Sequence, residues 1–181
     1  MTRSRLIVLV AAVVAAFAVA AVWLTRSAGA GPLAWPAQAG QTYSWHNVNY
    51  VSIPVKPGQL AVTTLDLHRD ADSPAVLLGV RPLHTPDADG LTIRYAATAG
   101  HGLMIGGATG WKPTAWQLRP LAGFVVPAHA LAGVTVGASA KKPGVYFLHG
   151  FVVDYRIGGT HYSAPLYQGL ELCVSRGCPN G

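Results

Sequence analysis

A run of nineteen apolar residues, Leu6 to Leu24, separates a short basic N-terminus from the rest of the chain. The run contains no charge, proline or glycine, and as a helix it would extend roughly 28 Å, close to the ~30 Å hydrocarbon thickness of a bilayer. Arg3 and Arg5 precede it, so the positive-inside preference keeps residues 1–5 in the cytoplasm. The sequence therefore predicts a transmembrane helix over 6–24 and a single-pass protein of the cell membrane whose C-terminal domain is extracytoplasmic.

A cleaved signal peptide is the alternative interpretation of the same run. Ala28-Gly29-Ala30 offers the small-residue pattern of a cleavage site, and cleavage near Ala30 would release a secreted protein. The apolar run is longer than a usual signal peptide core, and Trp23 stands where an interfacial aromatic would anchor a permanent helix. We therefore favour a retained signal anchor. No cysteine lies near the end of the run, which excludes a lipoprotein anchor.

Composition beyond the anchor predicts one domain of modest charge. Segment 25–40 is rich in alanine, glycine and proline and is typical of a spacer, and residues 41–181 suit a single extracytoplasmic domain. The formal net charge is +6, and no basic run exceeds Lys141-Lys142, so a nucleic-acid partner is not expected. Nine arginines against four lysines suggest a GC-rich bacterial genome.

Short apolar runs, interrupted by glycine or proline every eight to fifteen residues, predict an all-β domain. No amphipathic helix of useful length occurs. The segments that we predict as strands are Thr42–Ile53, Gln59–His68, Ala75–Val80, Leu91–Thr98, Thr114–Leu118, Gly133–Ala138, Val145–Ile157, His161–Pro165 and Gly169–Val174. Nine short strands favour an immunoglobulin-like β-sandwich.

Two of these strands show how far alternation can be followed. In Leu91 to Tyr95 the apolar residues occupy every second position, which predicts that Thr92 and Arg94 face solvent. Between Gln59 and His68 the apolar phase changes, and a bulge at Thr63-Thr64 would explain the change.

The strongest structural signal is the segment from Gly144 to Ala164, in which two extended runs flank Gly158-Gly159. A two-residue glycine loop supplies the positive φ angles of a tight hairpin. The hairpin would place Ile157 opposite Thr160 and, three pairs further on, Asp154 opposite Ser163. The residues of the first arm that we expect to share the core face are Val145, Phe147, Phe151, Val153, Tyr155 and Ile157.

This hairpin, together with a last strand that reaches Leu172-Cys173-Val174, resembles the closing strands of immunoglobulin-like domains. The resemblance covers about a third of the external part and implies a fold only. The inter-sheet cysteine pair and intervening tryptophan of antibody domains are missing, since both cysteines lie late in the chain.

Cys173 and Cys178 are the only cysteines. In an oxidising compartment we expect them to form a disulfide, which over so short a loop would contribute roughly 2 kcal/mol. The alternative is a redox or metal-binding thiol pair, which the spacing does not favour because it is not C-x-x-C.

Seven histidines raise the hypothesis of an envelope copper- or zinc-binding protein. His101 and Met104 are the nearest approach to a soft-metal pair, but every histidine is isolated in its own segment. His149 is an exception of another kind, because it falls in the apolar phase of its strand. It would be a tuned acid, base or ligand in the core, or it would be a neutral imidazole bonded to a backbone carbonyl, or a register shift at Gly150 would turn it outward. We favour the last two interpretations. We therefore predict no metal site and no cofactor.

The sequence contains no catalytic motif, so we predict no catalytic residues and do not expect an enzyme. The aspartates of the segments 66–72 and 87–89 show no sign of convergence on a cleft. Loop 98–113 is long and glycine-rich and carries Trp111 in addition to His101 and Met104, which makes these three the candidate binding residues. The expected function is an interaction or accessory module of the bacterial cell envelope, with another envelope protein or a cell-wall component as partner.

Overall fold

The computed structural model describes residues 31, 33–34, 49–69, 72–84, 90–100 and 107–179. These residues form strands, turns and connections, and short apolar runs became strands because each could bury one or both faces in a shared core. The strands are β1 (Leu33–Ala34), β2 (Asn49–Val55), β3 (Ala61–Arg69), β4 (Ala75–Pro82), β5 (Leu91–Ala99), β6 (Gly107–Thr109), β7 (Val125–Val126), β8 (Leu131–Ala140), β9 (Gly144–Leu148), β10 (Phe151–Ile157), β11 (Thr160–Leu166) and β12 (Gln168–Val174).

The strands form three sheets. The first has the order β1-β3-β8-β5, with β6 paired to the start of β3, and the second has the order β11-β10-β4-β7. The third consists of β2, β12 and β9. All pairs are antiparallel except β2 with β12, which run parallel.

The order of the first two sheets is that of an immunoglobulin-type sandwich. If β1, β3, β4, β5, β8, β10 and β11 are lettered A to G in chain order, the sheets read A-B-E-D and G-F-C. The prediction of an all-β sandwich is confirmed. The third sheet is connected to the second by short links, because two residues separate β9 from β10 and one residue separates β11 from β12.

The core lies between the inner faces of the sheets. Leu65 of β3 and Val136 of β8 approach it from one side, and Leu77 of β4 and Phe151 of β10 approach it from the other, all without solvent exposure. Removal of these side chains from water is the main contribution to stability in a domain of this kind.

The register of β3 corrects one prediction. Its pairing with β8 continues without interruption from Ala61–Ala138 to His68–Leu131, so the bulge predicted at Thr63-Thr64 is wrong. The apolar phase changes because β3 is a central strand whose two faces are both buried at this point, so that Val62 is as inaccessible as Leu65.

The glycine hairpin is confirmed in register. Ile157 pairs with Thr160 and Asp154 pairs with Ser163. Phe151, Val153 and Tyr155 lie on the core side, as predicted. The predicted continuous strand Val145–Ile157, however, is two strands.

Gly150 separates the two strands and reverses their faces. Tyr146 and Leu148 of β9 pack on the core, whereas Val145 and Phe147 lie on the outer face. Their predicted core placement is therefore wrong. Strict alternation cannot continue through a glycine with φ +113°, a value that other residues rarely adopt.

Two further segments differ from the expectations. Thr114–Leu118 is a series of turns instead of a strand, and a single bridge between Ala97 and Arg119 follows it. Within the segment predicted as spacer, the two residues of β1 pair with the end of β3. The backbone N–H of Leu33 donates to the Tyr155 hydroxyl across 3.0 Å, so these residues are part of the domain.

Several predicted features lie outside the described residues, namely the apolar run Leu6–Leu24, the motif Ala28-Gly29-Ala30 and the first part of the strand predicted from Thr42. In the part of the chain that the structure describes, there is no helix with the length and apolarity that crossing a bilayer requires.

A candidate binding face on the three-stranded sheet

The outer face of the sheet β2-β12-β9 carries a cluster of aromatic and imidazole side chains. Its members, called the aromatic face below, are Tyr50 of β2, Phe147 of β9, His149 in the turn after β9, and His84 just beyond β4. They lie on the side of the sheet away from Leu170 and Leu172, which are buried in the core.

Gly150 creates this face. It begins the change of direction between β9 and β10, and a Cβ atom there would approach the carbonyl oxygen of Leu166 to 2.5 Å, so only glycine fits without a shift. The resulting kink leaves His149 exposed. Of the interpretations that the sequence allowed for His149, the outward rotation at Gly150 is the correct one.

A backbone hydrogen bond brings His84 to the same place. The N–H of Leu83 donates to the carbonyl oxygen of Gly150 across 2.9 Å. The neighbouring residues, His84 and His149, consequently have ring centroids 6.4 Å apart, although 65 positions separate them in the sequence.

His149 is held by contacts with two further rings. Phe147 stacks on it with a centroid separation of 5.9 Å and an interplanar angle of 14°. Tyr50 meets it edge-on at 5.8 Å, and the Tyr50 hydroxyl is hydrogen-bonded to Nδ1 of His149. These contacts limit the orientations of the imidazole. Nε2 is the ring nitrogen that is not hydrogen-bonded to Tyr50.

Gly169 allows Tyr50 to reach His149. Tyr50 and Gly169 are direct partners in the parallel pair of β2 and β12. A Cβ atom on Gly169 would lie 2.7 Å from the Tyr50 ring and 2.6 Å from the Leu148 carbonyl oxygen. The ring can therefore cover β12 only because residue 169 has no side chain.

A buried carboxylate lies next to the aromatic rings. Glu171 has no solvent exposure, and the Ser52 hydroxyl donates to its Oε2 from the neighbouring strand. Burial raises the pKa of the Tyr50 phenol, and the negative charge of Glu171 raises it further. Tyr50 therefore keeps its proton at neutral pH, and its hydroxyl can donate or accept a hydrogen bond.

The disulfide at the end of β12 is present as predicted. Cys173 and Cys178 are bonded, with their Cα atoms 5.4 Å apart. Their sulfur atoms and a carboxylate oxygen of Glu171 lie within 4.8 Å of one another. This trio offers no thiolate to a metal ion, because both sulfurs are used in the disulfide.

The structure describes one of the three candidate residues of loop 98–113. His101 and Met104 lie outside the described residues. Trp111 is half-buried, and its ring lies so close to β8 that a Cβ on Gly137 would approach it to 2.9 Å. The tryptophan thus packs over a glycine of the first sheet, and its predicted binding role remains a prediction.

Sequence reasoning missed Tyr50 and His84 because their proximity arises from sheet pairing. Tyr50 lies 99 positions before His149 in the sequence, and His84 lies 65 positions before it. The one available signal was the glycine after His149, which identified a possible change of face.

Comparisons with known proteins give only distant similarities of fold. No family model matches the chain, and no curated protein matches its sequence. The similar solved structures include the seventh PapD-like domain of human CEP192, with 14% identity and a TM-score of 0.42 over 78% of this chain and 94% of that one. They also include the Vibrio cholerae VesB protease, with 10% identity and a TM-score of 0.38 over 70% of this chain.

A third similar structure is a family 123 glycoside hydrolase from Clostridium perfringens, with 11% identity and a TM-score of 0.39 over 73% of this chain. The matches cover 31% of the protease and 24% of the hydrolase, so this chain corresponds to less than a third of either.

Proposed function

We propose that the protein is a single-pass, membrane-anchored, immunoglobulin-like β-sandwich that serves as an interaction or accessory module on the outer side of a bacterial cell membrane. The aromatic face is its binding surface, and the partner is another envelope protein or a cell-wall component. The observation that carries this proposal is the exposed His84–His149 pair beside the half-buried rings of Tyr50 and Phe147.

The composition of the face supports a binding role. Aromatic side chains are enriched at the centres of protein interfaces, because they bury a large area at low cost in conformational entropy. Phe147 and Tyr50 are held edge-on to each other, with centroids 5.6 Å apart on two strands of one sheet. A partner would therefore meet side chains that are already ordered, which reduces the entropy lost on binding.

The proposed compartment is supported by two independent features. The apolar run Leu6–Leu24 with Arg3 and Arg5 before it fits an anchor with its N-terminus in the cytoplasm. The Cys173–Cys178 disulfide fits an oxidising environment on the other side.

Cell fractionation combined with protease accessibility tests the anchor. A C-terminal epitope should sediment with the membranes and should be digested by protease added to intact spheroplasts, while a cytoplasmic control protein survives. Recovery of a soluble chain that begins at Gly31 would contradict a retained anchor and would favour secretion.

Crosslinking followed by affinity capture tests the binding surface. The double substitution Tyr50→Ala and Phe147→Ala should abolish recovery of partners that the wild-type chain captures from envelope extracts. Trp111→Ala serves as the comparison, because Trp111 lies outside the aromatic face and packs against Gly137 of the first sheet, and a melting curve for each variant confirms folding. Loss of partners with Trp111→Ala alone would place the binding surface in loop 98–113.

A further inference from the structure

The two exposed imidazoles of the aromatic face lie close to the separation that a shared metal ion requires. A metal bonded at about 2.0–2.1 Å to one nitrogen of each ring holds two imidazole centroids roughly 5–6 Å apart. The centroids of His84 and His149 are 6.4 Å apart, and both side chains are exposed. Small side-chain rotations at the surface are enough to close the remaining gap.

The surroundings of His149 are those of a metal ligand. A histidine that binds a metal through one nitrogen usually donates the N–H of the other nitrogen to an oxygen acceptor, which fixes the ring and its tautomer. The Tyr50 hydroxyl is placed to accept from Nδ1 of His149, which would direct the Nε2 lone pair to the metal. Stacking on Phe147 restricts the same ring further.

His84 is positioned by the backbone. The Leu83 N–H to Gly150 oxygen bond joins the segment that carries His84 to the kink that carries His149. The separation of the two ligands therefore depends on main-chain atoms at Leu83 and Gly150 and does not rely on flexible side chains alone.

We infer that His84 and His149 bind a late first-row divalent transition-metal ion, with Cu²⁺ bound more tightly than Zn²⁺ or Ni²⁺. Imidazole nitrogen suits all three ions, and the general order of affinity places Cu²⁺ highest. Solvent molecules complete the coordination, since both imidazoles are at the surface. This site is separate from the Glu171–Cys173–Cys178 trio, in which the sulfurs are bonded to each other.

Copper titration of the full-length chain in detergent, purified with a histidine-free affinity tag, tests the inference. We expect His84→Ala and His149→Ala each to remove one equivalent of bound Cu²⁺ from the wild-type stoichiometry. His161→Ala is the matched control, because His161 is also an exposed histidine but lies on β11. Electron paramagnetic resonance of the wild type should show two nitrogen couplings of similar strength from this copper ion, and this signal should be missing from His84→Ala and from His149→Ala.

Tyr50→Phe separates a metal site from a chance pair of histidines. The substitution keeps the ring over Gly169 and removes only the hydroxyl that bonds to Nδ1. Loss of such an outer partner typically weakens metal binding by about 10–100-fold, so the Cu²⁺ affinity should fall while the melting temperature is maintained. Each histidine variant should lose more affinity than Tyr50→Phe.

The inference fails if His84→Ala and His149→Ala bind as much Cu²⁺ as the wild type, or if His161→Ala reduces binding as strongly. The result is independent of membrane anchoring and of partner capture. Normal copper binding without captured partners would therefore contradict the proposed interaction module and would leave the copper site supported.

Discussion

The long hairpin of this domain has two halves that differ in which face is buried. In the half made by β10 and β11, Phe151, Val153 and Tyr155 fill the core. In the half made by β9 and β12, Leu148 faces the core, and Phe147 contributes to the aromatic face. Large apolar residues occupy the odd-numbered positions of both β9 and β10, so the difference in burial arises at Gly150. One residue with a positive φ decides which aromatic side chain stabilises the fold and which is available for binding.

The largest expected effect is the contrast between Phe151→Ala and Phe147→Ala. Phe151 is fully buried, and its loss should reduce the free energy of unfolding by about 3–5 kcal/mol. Phe147 is half-buried on the outer face, so its loss should cost only about 1 kcal/mol or less. Chemical denaturation of both variants measures the contrast. Equal destabilisation would show that β9 and β10 share one face after all.

Gly150→Ala should cost roughly 2–3 kcal/mol, because it combines strain at a positive φ with a contact to the Leu166 carbonyl oxygen. Gly123→Ala is the matched control. Gly123 also has a positive φ, at +82°, but nothing lies within 4 Å of its added Cβ. Gly150→Ala should therefore destabilise the domain more than Gly123→Ala, and it should also weaken Cu²⁺ binding. If Gly150→Ala lowers the free energy of unfolding less than Gly123→Ala does, Gly150 does not determine which face of β9 is buried.

Cys178→Ser sharpens the comparison at the far end of the β9–β12 half. The substitution removes the disulfide, which joins two cysteines five residues apart in the sequence. The free energy of unfolding should fall by about 2 kcal/mol in the chain-entropy model. The wild type in the presence of a dithiol reductant should show the same loss, while Cys178→Ser should be insensitive to the reductant. If the reductant also destabilises Cys178→Ser, the reductant acts on a part of the protein other than this disulfide.

The smallest effect concerns Tyr95, which packs edge-on against Phe151 in the other half. Burial raises the pKa of the Tyr95 phenol to about 12, and its hydroxyl has no hydrogen-bond partner among the residues that the structure describes. A raised folded-state pKa means that this contribution to stability is complete below pH 10 and is lost as the pH rises from about 10 to 12. Tyr95→Phe should therefore change stability little at pH 7 and should reduce the loss above pH 10. Identical alkaline melting curves for both proteins would show that Tyr95 is not buried in its neutral form.

Local patterns predicted much of this fold from the sequence. The Gly158-Gly159 turn determined the register from Ile157–Thr160 to Asp154–Ser163, because a two-residue loop allows only one pairing. The alternation in Leu91–Tyr95 correctly predicted that Thr92 and Arg94 are exposed. The disulfide followed from the presence of only two cysteines.

The failures have two physical causes. Alternation says which residues share a face only while the backbone stays extended, so the kink at Gly150 reversed the positions of Val145 and Phe147. Alternation also assumes that a strand has one buried face. Both faces of β3 are buried, so its apolar residues follow the pattern expected of a bulge although its register is uninterrupted. The candidate face depends on contacts between Tyr50, His84 and His149, and such long-range pairings leave no pattern in the sequence.

The central claim is that Gly150 turns His149 outward to join Tyr50 and His84, and nuclear Overhauser contacts of the His149 ring test it most directly. The structure predicts contacts from the His149 ring protons to those of Tyr50, Phe147 and His84. Contacts from that ring to the buried side chains of Leu77 or Val153 would instead place His149 in the core and would contradict the account.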